Sequence, residues 1–270
     1  MHLFAAERAG PRSSPRPSDG FLRRLLRRVR RGLLPSFDLV LLARRRFLRG
    51  IGRGSAVLDA GCGDGTFSIW LAQRGRRVVG VSNDAGAIGR LRSAIPALGL
   101  PAGALGFRVH DLARDGPPGS PFDAALCFDV LEHIRDDRAA LRALAASLRE
   151  GGRLLLTVPD RAGPRLWGDT ESTAEDGGHV RAGYTRAELE ALLREAGLRP
   201  LRWAGFAGFF TQKAMNASRR LERRPGAFFL LLRFLWLVAM RPLCGLDPLV
   251  PWPPYEIFVM AEKGVEGGSG

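Results

Sequence analysis

From residue 55 onward the chain alternates short apolar runs with stretches of helical periodicity. Segments 56–60, 77–82, 105–110, 122–128 and 152–158 are short and mostly apolar, which predicts strands of a sheet covered on both faces. Segments 64–74, 84–94, 136–149 and 185–196 space their apolar residues as one helix face requires. Strand–helix alternation of this kind predicts an α/β fold, a doubly wound and mostly parallel sheet covered by helices on both faces. Two further strands are read at 198–206 and 255–262, giving seven in all.

Two segments stand apart from this alternation. Residues 21–34 read FLRRLLRRVRRGLL, with Phe21, Leu22, Leu25, Leu26, Val29 and Leu33 at helical spacing and arginines between them. That is a basic amphipathic helix, ended by Pro35, and a second helix is expected over 37–48 ahead of the first strand. Residues 227–240 read AFFLLLRFLWLVAM, apolar all round with Arg233 the one charge, and they are flanked by Arg219, Arg220, Arg223, Arg224 and Arg241. Fourteen residues fall short of the roughly 20 needed to span a bilayer. The helix is therefore either embedded in a membrane surface without crossing it, or buried in the fold or a homodimer interface. The expected organisation is a disordered tail over 1–20, a basic arm over 21–50, a core over 51–206, a helical apolar insertion over 207–254, the last strand over 255–263 and a flexible tail over 264–270.

Charge sharpens the picture of the arm. Residues 1–50 hold 13 arginines against three acids, which is +10 of the net +14. The basicity belongs to the arm and not to the core. Lys213 and Lys263 are the only lysines, a usage that GC-rich coding alone produces, so arginine abundance by itself does not argue for phosphate binding. Three cysteines, an odd and small number, read as reduced thiols in a cytoplasmic protein. The N-terminus lacks a charged n-region followed by a clean apolar core, so no secretory signal is expected.

The chemistry concentrates after the first strand, in Asp59-Ala60-Gly61-Cys62-Gly63-Asp64-Gly65. Glycines at alternate positions let the backbone approach a ligand where a Cβ would clash, and Asp59 can accept hydrogen bonds from a ligand amine. The spacing is G-x-G-x-G, unlike the dinucleotide fingerprint G-x-G-x-x-G. The segment resembles motif I of the class I S-adenosylmethionine (SAM) methyltransferases. The resemblance extends over about 55–205, through Phe122-Asp123 and Val130-Leu131-Glu132-His133 and the Gly151-Gly152 turn, and it is nearest to the small-molecule enzymes of the ubiquinone-biosynthesis type. It implies a Rossmann-like sheet in the order 3-2-1-4-5-7-6 with the last strand antiparallel, and SAM as cofactor. It implies cofactor contacts from Asp59, Gly61, Cys62, Gly63 and Gly65, from Ser82 and Asn83 at the ribose, from Asp111 and the Leu112 N–H at the adenine, and from Phe128 beside the methionine moiety. One departure is clear: Ser82 stands where most of the family carries a carboxylate. Asp84 either reaches the ribose instead or caps the next helix.

Candidates for handling a proton are His133 and His179, whose imidazoles suit neutral pH. Asp129, Glu132 and His133 resemble the acid-x-x-acid-His set that holds a divalent cation in ubiquinone-type relatives; because Glu-His pairs also occur in relatives without metal, no metal is assigned. Residues 160–184 form a long loop expected to wall the substrate, with Trp167, Glu171, Glu175 and Asp176 in it, and Thr185 with Glu188 forms a capping box. The function expected is methyl transfer to a lipid, quinone or lipid-linked sugar. The enzyme is expected in the cytoplasm, touching the cytoplasmic membrane face through 21–34 and 227–240. Replacing Phe229, Leu232 and Trp236 is expected to weaken that contact. The alternatives are an RNA methyltransferase steered by the arm, which no RNA-binding motif supports, and a non-catalytic SAM-binding protein.

Overall fold

A computed structural model describes residues 39–119, 121–163, 178–224 and 226–264. The arm at 21–34 lies outside the described residues, as do the 1–20 tail, most of the 264–270 tail and the loop positions Trp167, Glu171, Glu175 and Asp176.

Seven strands form one sheet: β1 Ala56–Ala60, β2 Arg77–Ser82, β3 Leu105–Val109, β4 Phe122–Phe128, β5 Leu148–Pro159, β6 Leu198–Phe206 and β7 Glu256–Lys263. Their order is β3-β2-β1-β4-β5-β7-β6, as the resemblance implies. β7 runs antiparallel to both β5 and β6, and the remaining pairs are parallel. The register aligns Ala60 with Val81 on one side and with Cys127 on the other. The ends of β1, β2 and β4 therefore meet at one edge, where ligands bind in open α/β sheets.

The continuous apolar runs are explained by burial on both faces. Leu58, Ala125, Cys127, Leu154 and Leu156 enter one core with Leu141 and Leu144 of the helix Asp137–Ser147 and Leu189 and Leu193 of the helix Arg186–Glu195. Their neighbours Val57, Leu126 and Leu155 enter the opposite core, with Phe67 and Leu71 of Thr66–Ala72 and Ile88 and Leu91 of Ala85–Ala94. Each fully buried leucine contributes roughly 1.5–3 kcal/mol by leaving water. In chain order the helices are α1 Leu39–Arg45, α2 Thr66–Ala72, α3 Ala85–Ala94, α4 Asp137–Ser147, α5 Arg186–Glu195, α6 Phe209–Glu222 and α7 Ala227–Cys244.

α1 is part of the core. It supplies Val40, and the 3-10 turn after it supplies Phe47 and Leu48. Phe47 stacks on Phe258 of β7 with ring centroids 3.7 Å apart.

Three elements differ from expectation. β5 begins at Leu148 rather than 152, because Leu148 already pairs with Phe122 across an irregular register. A Cβ at Gly152 would lie 2.7 Å from the Arg149 carbonyl oxygen, so the glycine permits this close approach. Helix α6 left no clear sequence signal, because the positions it buries are Thr211, Gln212, Ala214 and Ser218, small or polar residues that make apolar periodicity faint. Helix α7 runs on through Pro242 to Cys244, since a proline in the final turn forfeits little.

α7 is one-sided. Leu237 and Met240 pack on Ala214 and Leu39, and Trp236 Nε1 donates to the Ala214 carbonyl at 3.1 Å. Trp236 thus faces inward and is not among the outward residues. Phe228, Leu231, Leu235 and Val238 form an exposed stripe, joined by Leu230 and Leu232. Among the described residues, no helix is long and apolar enough to cross a membrane.

Candidate active site at the carboxyl edge of the sheet

The turn after β1 is built from three glycines with left-handed backbone, Gly61 at φ 72°, Gly63 at φ 53° and Gly65 at φ 75°. They do not share one task. A Cβ on Gly61 would lie 2.2 Å from Val130 Cγ2, and one on Gly65 would lie 2.8 Å from Leu91 Cδ2. Both glycines exist to let protein pack against the turn. Gly63 alone meets nothing within 4 Å. It lines a depression of about 440 Å³ with Asp64, Ser82, Asp84, Ala87, Arg90 and Leu91. The amides of Gly61 and Cys62 both donate to the Val81 carbonyl at 2.9 Å, so they serve the fold and are not presented to a ligand. Cys62, Cys127 and Cys244 are free thiols; burial pushes the Cys62 thiol up to about 12, so it stays neutral.

Asp59 is 4% exposed, and its Oδ2 accepts from Ser68 Oγ at 2.6 Å. Burial pushes its carboxyl from 3.8 up to about 6, and the Ser68 hydrogen bond pulls back part of that rise. A buried carboxylate with no cation beside it is suited to receiving one. Ser82 Oγ accepts from the Asp84 amide at 3.2 Å, and Asp84 Oδ1 caps α3 through the Ala87 amide at 2.9 Å. Asp84 therefore caps the helix while it lines the depression. Asn83 follows Ser82 at the same strand end. Asp111 Oδ1 accepts from the Ala113 amide at 3.0 Å, and Oδ2 stands 3.5 Å from Arg114. Leu112 is buried in the β4-side core. His110 is tied to the Gly116 carbonyl at 2.9 Å, as a strand-end residue would be. Phe128 closes β4 with its ring edge-on to Phe67, centroids 5.2 Å apart.

Beyond β4 lies a denser polar cluster. Asp129 has φ 52°, a strained value for a residue with a Cβ. It is held there by Thr157 Oγ1, which donates to Oδ1 at 3.0 Å, and by an ion pair with Arg44. Arg44 reaches in from α1 and also grips Glu256 of β7, at 2.8 Å to Oε1 and 2.7 Å to Oε2. Burial lowers the affinity of its guanidinium for the proton, and Asp129 and Glu256 more than reverse this, so Arg44 is charged.

Glu132 is fully buried, and neither of its carboxyl oxygens has a hydrogen-bond partner among the described residues. Burial raises its carboxyl well above the ordinary range, and the Asp129 charge raises it further. His133 and His179 meet edge to face with centroids 4.7 Å apart. His133 Nδ1 lies 3.0 Å from the Gly178 carbonyl oxygen. A carbonyl only accepts, so Nδ1 carries the proton and the neutral ring keeps its lone pair at Nε2. Ligating atoms of Glu132, His133 and His179 all lie within 4.8 Å of one another. One carboxylate and two imidazoles, with the carboxylate otherwise orphaned, fit a divalent cation. This is not the set read from the sequence. Asp129 belongs to Arg44 and Thr157, and His179 from the loop takes its place.

Sequence reasoning passed over Arg44, Ser68, Thr157 and Glu256. Arg44 sits in an Arg44-Arg45-Arg46 run that reads as a solvated face. The available signal was its spacing from Val40, which places it on the apolar side of α1.

The sequence matches the family described as methyltransferase domain over residues 26–202. A ubiquinone biosynthesis O-methyltransferase of Xanthomonas euvesicatoria is 35% identical over 159 residues, which cover 54% of this chain and 63% of the relative. The chain thus spans under two thirds of that relative's length. Phosphoethanolamine N-methyltransferase 2 of Haemonchus contortus, solved with SAM, superposes with a TM-score of 0.60 at 18% identity over 83% of this chain and 52% of that one. The [4+2]-cyclase SpnF superposes with a TM-score of 0.57 at 21% identity over 85% of this chain and 81% of that one. Likeness at these identities shows the shared fold, and a cyclase among the neighbours shows that the fold does not dictate the reaction. The match over 26–202 decides the family: this chain belongs to the methyltransferase-domain family.

Proposed function

We propose that this protein is a SAM-dependent methyltransferase whose acceptor is a small amphiphile of the quinone or lipid class, met at a membrane surface. The observation that carries the reading is the division of labour in the glycine turn: of its three glycines Gly63 alone is left open, and it lines the depression that Ser82 and Asp84 share. SAM, when bound, supplies an electrophilic methyl on a sulfonium. Asp59 would receive its ammonium, Gly63 would leave room for its methionine chain, Ser82, Asn83 and Asp84 would hold the ribose, and Asp111 with the Leu112 N–H would hold the adenine, so that the methyl could pass to an acceptor oxygen. The acceptor's proton goes to Nε2 of His133, whose Nδ1–H is anchored on Gly178, with His179 edge-on against that ring. Were Glu132, His133 and His179 instead to hold a divalent cation, His133 Nε2 would be a ligand rather than the base, and the cation would orient and acidify the acceptor hydroxyl.

The exposed stripe Phe228, Leu231, Leu235 and Val238 supports the membrane setting, with Arg219, Arg220, Arg223 and Arg224 on the preceding helix and turn. The ubiquinone-type relatives support a quinone acceptor. The test is incubation of full-length protein with radiolabelled SAM and a membrane fraction. Label in the lipid-extractable phase that disappears with His133→Asn is expected. Tight SAM binding with no label in lipid, RNA or soluble extract would replace the reading with a non-catalytic one.

A further inference from the structure

A second cleft, of about 500 Å³, lies apart from the glycine turn. Leu39, Leu42 and Arg46 enter it at helical spacing from α1 and the turn after it, and Arg241 and Cys244 enter from the end of α7. Phe206 and Gly208 lie along it where β6 ends, and Trp252 and Asp247 also line it. Asp247 is committed: it caps α6, accepting from the Phe210 amide at 2.7 Å and the Gly208 amide at 3.1 Å. Arg46 and Arg241 outnumber Asp247, whose charge also acts on Arg46. Arg46 stacks on Phe47 and Phe206, with Cζ 4.7 Å and 5.7 Å from the ring centroids, and it feels Arg202 more strongly than Asp247. Arg241 acts on Arg45, whose buried Nε has no partner among the described residues. Two guanidinium groups against one carboxylate that the α6 amides already engage, beside apolar walls, call for an anion that carries a hydrocarbon part. The cleft's rim runs into exposed Leu243, Leu246 and Leu249.

We propose that this cleft binds the phosphate head group of an anionic membrane lipid, with Arg46 and Arg241 on the phosphate and Leu39, Leu42 and Trp252 along the first methylenes of the chain. The proposal deepens the membrane-surface reading and rests on it for its setting. It would set the enzyme's orientation on the membrane, with the cleft's Arg46 two residues from Arg44, which pairs with Asp129 in the polar cluster beyond β4.

The test uses full-length protein and neither SAM nor acceptor, so its failure is separable from failure of the methyltransferase reading. Trp252 fluorescence is followed while monomeric dihexanoyl phosphatidylglycerol is added, with dihexanoyl phosphatidylcholine and inorganic phosphate as comparisons and Trp252→Phe as the signal control. Saturable binding of the anionic lipid is expected, weakened roughly 30-fold in Arg46→Gln/Arg241→Gln, at about a fivefold loss per arginine near an anionic lipid. Arg138→Gln/Arg142→Gln, which removes as much charge from α4, is expected to bind like the parent. An unchanged melting temperature establishes that the cleft variant is folded. Equal affinity for inorganic phosphate would assign the cleft to a soluble phosphate ester and overturn the lipid proposal. Absence of saturable binding in the parent, or equal weakening by the α4 variant, would overturn the site itself.

Discussion

Replacing Asp59 by Asn isolates the electrostatics of the proposed cofactor site. In the ligand-free fold burial lifts the Asp59 carboxyl from 3.8 to about 6. Between those values the folded chain holds a proton that the unfolded chain has lost. Stability therefore falls as pH rises through that window, by about 3 kcal/mol at most, and stays lower above it. Asn keeps an oxygen for the Ser68 hydroxyl and carries no charge. Asp59→Asn is thus expected to be more stable than the parent at pH 7 by up to about 3 kcal/mol, with the difference vanishing near pH 4. An ammonium beside the carboxylate reverses the preference, so SAM binding expels the proton. Affinity for SAM is then expected to be about tenfold weaker at pH 5 than at pH 7 in the parent, and nearly flat in Asp59→Asn, which binds weakly throughout. Titration calorimetry at the two pH values, with denaturant unfolding alongside, reads both quantities. Equal affinity at pH 5 and pH 7 in the parent would refute the reasoning, as would an unchanged slope in the variant.

Gly61→Ala and Gly63→Ala should part company: the first drives a Cβ into Val130 at 2.2 Å and should unfold readily in a thermal melt, while the second meets open space. Gly63→Ala is expected to lose about 1–2 kcal/mol of stability from its left-handed backbone, yet to weaken SAM binding at least tenfold by calorimetry. Arg44→Met leaves Asp129 and Glu256 without their cation, so urea unfolding should show a loss of about 3–5 kcal/mol, much of it recovered in Arg44→Met/Glu256→Met. Burial and the Asp129 charge push the Glu132 carboxyl toward its protonated form, so the uncharged Glu132→Gln should cost no more than about 1–3 kcal/mol in urea unfolding; a loss several times larger would show a charged, paired carboxylate. Phe228→Ser/Leu231→Ser/Leu235→Ser alters exposed positions only, so the protein should melt normally while moving from the membrane to the soluble fraction on cell fractionation.

The sheet was legible because its central strands are buried on both faces, which writes near-continuous apolar runs into β1, β4 and the second half of β5. The glycine turn after β1 was legible because its glycines are a local backbone requirement. What stayed hidden depends on partners distant in sequence. Arg44 and Glu256 are separated by 212 residues, and only the sheet order brings them together at Asp129. The same holds for His179, which displaces Asp129 from the group around Glu132 because Arg44 has already claimed that carboxylate. Helix α6 was obscured by the small and polar residues that its close packing on α7 requires.

The reversal of β7 carries a consequence for how such an enzyme can change. β6 ends at Phe206 and β7 begins opposite it at Glu256, so the whole helical excursion between them leaves and rejoins the sheet at one point. Topologically, α6 and α7 are the loop of an antiparallel hairpin. A hairpin loop can be lengthened, shortened or exchanged without disturbing the strands that carry it. This loop opens from the edge that holds Glu256 and Arg44, so any surface on which the helices rest is brought up to the chemistry. An acceptor dissolved in that surface would reach the methyl donor by lateral diffusion, in two dimensions, without entering bulk water.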